Sequence, residues 1–273
     1  MEGQFSRTER LLGAEAVEKL SKAKVIVFGI GGVGGYCVES LVRSGVGQID
    51  VVDDDVVCLS NLNRQIIATR DTVGRAKVEI AEERIHSINP DCKVRAFRCF
   101  YLPETKDQFD FSAYDYVVDA VDTVAAKLSL IEAAKEAGVP IISAMGAGNK
   151  LNPAGFKVAD LYETKICPLA KVMRRECKKR GIESLKVVYS EEMPRKPIEP
   201  IEQEEKAQAV SELPHTENSG ADLEIAKAKE AGADLEIPKA KGKRSIPGSV
   251  AFVPPVVGLI MGGEIVKDLL HVR

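Results

Sequence analysis

An α/β fold, doubly wound around a mostly parallel sheet, is what this sequence predicts, and three observations predict it. Apolar strand patterns alternate with helix patterns from Lys24 to about Ser143. The strands are nearly continuous apolar runs, the pattern of a sheet with helices on both faces. The first of them runs into "GIGGVGG", where Gly29, Gly31 and Gly34 keep a G-x-G-x-x-G spacing. Such glycines let a backbone and the helix N-terminus behind it approach an anionic phosphate.

In chain order the patterns predict a strand over 24–29, a helix over 33–44, a strand over 48–53 and a helix over 74–89. Strands over 93–99 and 114–121, a helix over 124–138 and a strand over 140–145 follow. Residues 1–150 thus read as a nucleotide-binding domain. Residues 151–273 read as a C-terminal αβ extension of the same fold, with a strand over 155–159, a helix over 168–180 and a strand over 185–190. A short strand and a helix are expected within 248–270, with Gly258 and Gly262 one turn apart for close packing. Between them, 198–246 reads as a mobile, disordered insertion. From Glu191 to Ala251 there is no Phe, Tyr or Trp, and "GADLEIAKAK" at Gly220 is nearly repeated as "GADLEIPKAK" at Gly232. A polar segment of this kind buries too little apolar surface to fold.

Composition narrows the function classes. With 45% hydrophobic residues over 273 positions the chain can fill a large core. A net charge of −3 means that any nucleic acid must be held by a local basic patch. Six cysteines without a C-x-x-C pair argue against a zinc knuckle and against a disulfide framework, and fit a reducing cytoplasm. The longest apolar run, "VAFVPPVVGLIMGG", is short for a membrane span and carries two prolines. The expectation is a soluble, cytoplasmic protein with no membrane partner.

The chemistry gathers at the strand ends. Asp53 lies some twenty residues beyond the glycine turn, where a carboxylate accepts hydrogen bonds from ribose. NAD and ATP both satisfy that. The next stretch supplies Asn63 and Arg64, and Lys77 opens the following helix. Cations beside a phosphate turn suit a triphosphate and a departing pyrophosphate better than a nicotinamide cofactor. Asp119 and Asp122 in "VVDAVDT" are positioned to hold Mg²⁺ beside phosphates or, structurally, to cap the helix that follows. In "PLAKVMRRECKKRG", Lys171, Arg174, Arg175 and Lys178 share one helical face, either a phosphate-backbone contact or a solvated surface, while Leu169, Val172, Met173 and Cys177 line another. Cys167, ahead of that helix, is either a structural thiol or a thioester nucleophile.

Taken together, "GIGGVGG", the "D-x-D-x-V-x-x-S-N-L-N-R-Q" run from Asp53 to Gln65, "G-x-x-K-V-E" from Gly74, "INP" and "D-A-x-D" at Asp119 resemble the ThiF/MoeB/ubiquitin-activating superfamily of carboxylate-adenylating enzymes, with its Rossmann-like fold. Beyond Met145, "GAGNKLNP" and the closing "GSVAFVPPVVGLIMGGEIVKDLL" look like its tRNA threonylcarbamoyladenosine dehydratase branch. The resemblance implies ATP-dependent adenylation of the threonyl carboxylate of threonylcarbamoyladenosine in tRNA, then ring closure with release of AMP. It assigns Gly29, Gly31, Gly32, Gly34, Asp53, Asp55, Asn63, Arg64 and Lys77 to the nucleotide and Asp122 to Mg²⁺. Arg10, Arg64, Lys77 and Asp122 would be catalytic, with Arg10 reaching into a second subunit's site, so a homodimer is implied. The alternative is an activator of the C-terminus of a small sulfur-carrier or ubiquitin-like protein. A sulfur-transfer protein remains a further potential partner. An NAD-dependent oxidoreductase and a non-catalytic nucleotide-binding scaffold are more distant readings.

Overall fold

The structure is a computed structural model that describes residues 3–198 and 247–272. Of the expected insertion, 198–246, all but the first residue lies outside the described residues, and the near-duplicate with it.

Helices α1 (Ser6–Leu12) and α2 (Ala14–Lys22) lead into β1 (Lys24–Phe28), α3 (Gly34–Arg43), β2 (Gln48–Val52), α4 (Lys77–Ile88) and β3 (Ala96–Phe97). There follow β4 (Tyr116–Asp119), α5 (Val124–Glu136), β5 (Ile141–Ala144), β6 (Phe156–Asp160), α6 (Pro168–Lys179), β7 (Lys186–Ser190) and α7 (Pro254–Leu270). The strands form one seven-stranded sheet in the order β3-β2-β1-β4-β5-β7-β6, parallel throughout except for the antiparallel β6–β7 pair at the edge. Each βαβ unit returns its strand in the same direction, and the order reverses between β1 and β4, the place where such sheets open a crevice. In register, Phe28 lies beside both Val52 and Asp119. The carboxyl ends of β1, β2 and β4 are therefore level, and the residues after them converge.

Apolar surface is buried on both faces, as the continuous strands require. On one face Val25 and Val27 meet Cys37, Leu41, Val257, Met261 and Ile265 from α3 and α7. Gly258 permits that approach, since a Cβ there would lie 2.2 Å from the Val33 carbonyl oxygen. On the other face Phe28 packs edge-on against Tyr101 and Phe109, with ring centroids 4.9 and 5.3 Å apart, above Leu130 and Ile131 of α5.

The structure departs from the sequence expectations at three places. The short strand before α7 is absent: Pro254 and Pro255 begin the helix, where a missing N–H costs nothing. Gly248 ahead of them is tied to Asn149 instead, its N–H donating to Oδ1 at 2.7 Å and its carbonyl accepting from the Asn149 N–H at 2.8 Å. The strand expected over 93–99 pairs only at Ala96–Phe97, with an isolated bridge at Lys93, because it is the sheet edge with a neighbour on one side only. In α6 the buried stripe is Ala170, Met173 and Cys177, while Leu169 and Val172 are half-exposed. None of the described helices is long and apolar enough to cross a membrane.

Candidate active site

A cavity of about 480 Å³ opens where β1, β2 and β4 end, and the glycine turn forms its floor. Gly29 takes φ +87°, and a Cβ there would sit 2.7 Å from the Ala120 carbonyl oxygen. At Gly34 a Cβ would fall 1.8 Å from the Gly29 carbonyl oxygen, so this glycine serves the packing of α3 on the turn. Gly29, Gly31 and Gly32 line the cavity; Gly34 does not. At Gly31 the nearest atom to a Cβ, Gln65 Nε2, is 3.9 Å away, which leaves the backbone open to a ligand. The N-terminus of the ten-residue α3 lies directly behind, with its unpaired N–H groups and positive dipole end.

Asp53 stands at the tip of β2 as expected. Its Oδ2 accepts from Ile30 N–H at 2.6 Å and its Oδ1 from Asp55 N–H at 2.9 Å, which fixes the carboxylate across the mouth of the turn. Burial pushes its pKa up, and the Lys77 charge beside it opposes the shift. Lys77, at the start of α4, is buried, with Nζ 2.6 Å from Asp55 Oδ2 and 3.7 Å from Asp53 Oδ1. All three residues line the cavity. A buried ammonium held between two carboxylates is available to an incoming phosphate once one of those carboxylates lets go.

Residues 61–65 form a helical turn, with Arg64 and Gln65 N–H both donating to the Asn61 carbonyl. In such a turn positions i, i+3 and i+4 share a face and i+2 points away. Accordingly Asn61, Arg64 and Gln65 line the cavity, whereas Asn63 does not. Asn63 donates through Nδ2 to the Ser249 carbonyl at 3.0 Å and accepts from Arg64 Nη1 at 2.9 Å, so it clamps the 247–249 segment against this turn. Pro247, Gly248 and Ser249 are cavity wall. They are also the contribution that sequence reasoning missed, because nothing local marks "PGS" as neighbouring a motif almost two hundred residues earlier.

The two aspartates at the tip of β4 part company. Asp119 is fully buried, receives both 3.1 Å bonds of Lys127 Nζ and a hydrogen bond from Ser143 Oγ, and is spent on that network. It does not face a metal. Asp122 is exposed, lines the cavity and has no hydrogen bond or ion pair among the described residues. Neither caps α5, whose N-cap is Thr123. Three carboxylates at Asp53, Asp54 and Asp55 bring oxygens within 4.8 Å of one another, but two of the three are occupied by Lys77 and backbone N–H groups. Asp54 is the third, exposed on the cavity and, like Asp122, without a hydrogen bond or ion pair among the described residues. Unengaged carboxylates beside a phosphate turn fit Mg²⁺, which keeps several waters and takes one or two carboxylates along with phosphate oxygens.

Arg10 is exposed on α1 and does not line its own chain's cavity. Cys167 is buried beneath Gly146, without the access a thioester nucleophile needs. On α6, Arg174 is anchored to Thr164 through its carbonyl and hydroxyl oxygens. Arg175, Lys179 and Arg180 converge on Glu176. Lys171 and Lys178 are exposed and make no ion pair among the described residues.

Residues 5–273 match the family model described as the ThiF family. The tRNA threonylcarbamoyladenosine dehydratase of Bacillus subtilis (strain 168) is 42% identical over 268 residues, which cover 98% of this chain and 94% of that protein. Among solved structures, the E. coli tRNA N6-threonylcarbamoyladenosine dehydratase, TcdA, superposes in complex with AMP at a TM-score of 0.77 and in complex with ATP at 0.76. Each is 29% identical, with 98% of this chain and 94% of the other covered. The glycine turn, the Asp53 tip and the facing cations thus stand in a chain whose whole length follows one pattern, and the chain belongs to the ThiF family.

Proposed function

We infer that this chain is an ATP-dependent dehydratase of threonylcarbamoyladenosine in tRNA. The observation that carries this reading is the end-to-end similarity to the Bacillus subtilis enzyme, which runs past the nucleotide half through α6 and α7. The cavity supports it chemically. ATP lies with its phosphates on the turn at Gly31 and Gly32 and its ribose toward Asp53. The threonyl carboxylate attacks the α-phosphorus, pyrophosphate departs, and a mixed anhydride with AMP remains. The carbamoyl group of the same nucleoside then closes a ring on the activated carbonyl and expels AMP, a step favoured by the proximity of the two groups. Arg64 and Lys77 offset the charge that gathers on the phosphates. Asp55 releases Lys77 for that task, and Asn63 holds the cavity wall. Asp122 would hold Mg²⁺ beside the phosphates, and that ion would supply further positive charge there. Arg10 completes the site of a second subunit in a homodimer. A tRNA substrate supports a cytoplasmic setting for the reaction.

Incubating the protein with ATP and threonylcarbamoylated tRNA, then digesting to nucleosides, should yield a nucleoside lighter by one water. Unaltered nucleoside, together with ATP–pyrophosphate exchange that requires a small carrier protein, would instead make it an activator of a sulfur-carrier C-terminus. Mixing inactive Arg10→Ala with inactive Asp122→Ala protein should restore part of the activity, since one site of the mixed dimer regains both residues. No recovery despite subunit exchange would mean that Arg10 acts within its own chain or not at all. For the RNA, the free cations Lys171 and Lys178 replace Arg174, whose guanidinium is committed to Thr164. Lys171→Ala with Lys178→Ala should lower affinity across tRNA sequences and reduce the salt slope by about two units while ATP binding holds. An unchanged slope would return α6 to an ordinary solvated face.

A further inference from the structure

Asn149 has a left-handed backbone, at φ +60°, which asparagine tolerates better than most side chains. It spends both backbone and side chain on two distant segments. Its N–H donates to the Gly248 carbonyl at 2.8 Å, its Oδ1 accepts from the Gly248 N–H at 2.7 Å, and its carbonyl accepts from the Arg195 N–H at 2.8 Å. The loop behind it is anchored in turn. Lys150 is buried with Nζ donating to the Glu192 carbonyl, and the Glu192 carboxylate accepts from the Leu151 and Asn152 N–H groups at 2.9 and 3.0 Å. Asn149 does not itself line the cavity, but the residues on either side of its contact do: Ala147 and Gly148 ahead of it, and Pro247, Gly248 and Ser249 across from it. A Cβ on Gly148 would lie 3.0 Å from Pro247 Cβ, so these two strips of wall are in close contact.

Sheet order gives the cavity two sides. β2 with Asp53 flanks β1 on one side, and β4 then β5 lie on the other. With the ribose toward Asp53 and the phosphates on the glycine turn, the wall behind β5 is what remains for the group that attacks the α-phosphorus. We propose that Asn149 is a positioning residue for that group: by holding Gly248 through two reciprocal hydrogen bonds, it sets the wall against which the threonylcarbamoyl nucleoside lies, without touching nucleotide or nucleoside. The assignment rests on the dehydratase reading above. A residue that only held the fold would need the backbone contacts alone, and a glycine meets those at a positive φ without strain. The side-chain bond to Gly248 is the added part. It fixes the facing of a peptide plane in the wall, and a reacting group displaced by about 1 Å loses on the order of a hundredfold in rate.

A split between turnover and nucleotide binding separates this role from a structural one. Asn149→Gly keeps the left-handed backbone and deletes Oδ1, and Asn149→Asp restores an acceptor at the same place. With threonylcarbamoylated tRNA, Asn149→Gly should lower kcat at least about tenfold, while ATP affinity, measured by calorimetry without tRNA, stays within about twofold of wild type. Asn149→Asp should return most of the lost rate. If the Asn149→Gly protein fails to fold, Gly148→Ala carries the test: its added methyl presses on Pro247, displaces the same wall from the other side, and should give the same split. A parallel loss of kcat and ATP affinity would overturn the proposal and make the wall a nucleotide contact. An unchanged kcat, or an Asn149→Asp protein as slow as Asn149→Gly, would overturn it by making the bond to Gly248 structural. A wild-type protein that binds ATP yet leaves threonylcarbamoylated tRNA unaltered would overturn the dehydratase reading, and this assignment with it.

Discussion

The tips of β2 and β4 both carry aspartates to the rim of one cavity, and they use them in opposite ways. At β2 two of the three carboxylates are engaged but accessible: Asp53 holds two backbone N–H groups and Asp55 holds Lys77, yet both line the cavity, as does the unengaged Asp54 between them. At β4 the duties are split between two residues three apart. Asp119 is sealed in the core with Lys127, while Asp122 stands at the rim with no partner among the described residues. A carboxylate with a satisfied lone-pair shell shapes a site; one left open has lone pairs to offer a ligand. Identity of residue type therefore says little about role until the neighbours are known.

The largest effect should come from the open carboxylate. Asp122→Ala is expected to lower turnover by about a thousandfold or more, the several kcal/mol that a metal adds to transition-state stabilisation. Stability should move by less than about 0.5 kcal/mol, as for other exposed positions. Near-normal turnover at saturating Mg²⁺ would erase the distinction between the two tips.

Breaking the sealed pair should do the reverse. Lys127→Met leaves the Asp119 carboxylate buried and uncompensated, so urea unfolding should report a loss of about 3–5 kcal/mol. Adding Asp119→Asn should return part of it, because the pair acts as a unit. Full ATP affinity at a temperature where the Lys127→Met protein is still folded would confirm that the network is structural. A variant as stable as wild type would mean that this charge is not confined as the geometry indicates.

Asp55 offers a finer cut. Its carboxylate is 64% exposed while Lys77 is buried. Asp55→Ala should therefore cost less than about 1 kcal/mol of stability, in the range of exposed ion pairs. ATP binding should tighten slightly, since Lys77 no longer has to exchange a carboxylate for a phosphate. Weaker binding would show that Asp55 orients Lys77 rather than holding it in reserve.

The smallest effect is in pH. Burial raises the Asp53 pKa above the ordinary aspartate value. Its protonated form is thus favoured in the fold, so this group stabilises the protein below the ordinary aspartate range and gives that up as pH rises through the folded value. ATP affinity should follow the opposite course, falling on acidification at a pH higher than an unperturbed aspartate would produce. Asp53→Asn should flatten that dependence, and a wild-type profile in the variant would assign the titration elsewhere.

The order of elements was legible from Lys24 onward because each strand is a continuous apolar run and each helix a periodic one. The glycine turn was legible because backbone clearance is written directly in residue type: only Gly fits where a Cβ would strike the Gly29 or Ala120 carbonyl. Lys77 and Arg64 were legible by their place after a strand end. Gln65 was within reach too, since Asn61, Arg64 and Gln65 keep the spacing of one helical face, and Asn63 falls outside it by the same rule. The α6 stripe was misplaced because Ala170, small and weakly apolar, goes inside where Leu169 was expected, the choice being made by the surface it meets.

Sequence by itself determined what depends on neighbours along the chain: strand and helix periods, the turn, and the set of charges near the strand ends. Tertiary structure alone decided which of those charges are spent. Lys127 neutralises Asp119 because α5 folds back over β4, and Ser249 reaches the cavity because α7 packs on α3 through Gly258. Pairing of this kind is set by distances through space between residues far apart in sequence. Desolvation then makes it decisive, because a buried charge or amide must find a partner within hydrogen-bond reach, whereas at the surface water supplies one.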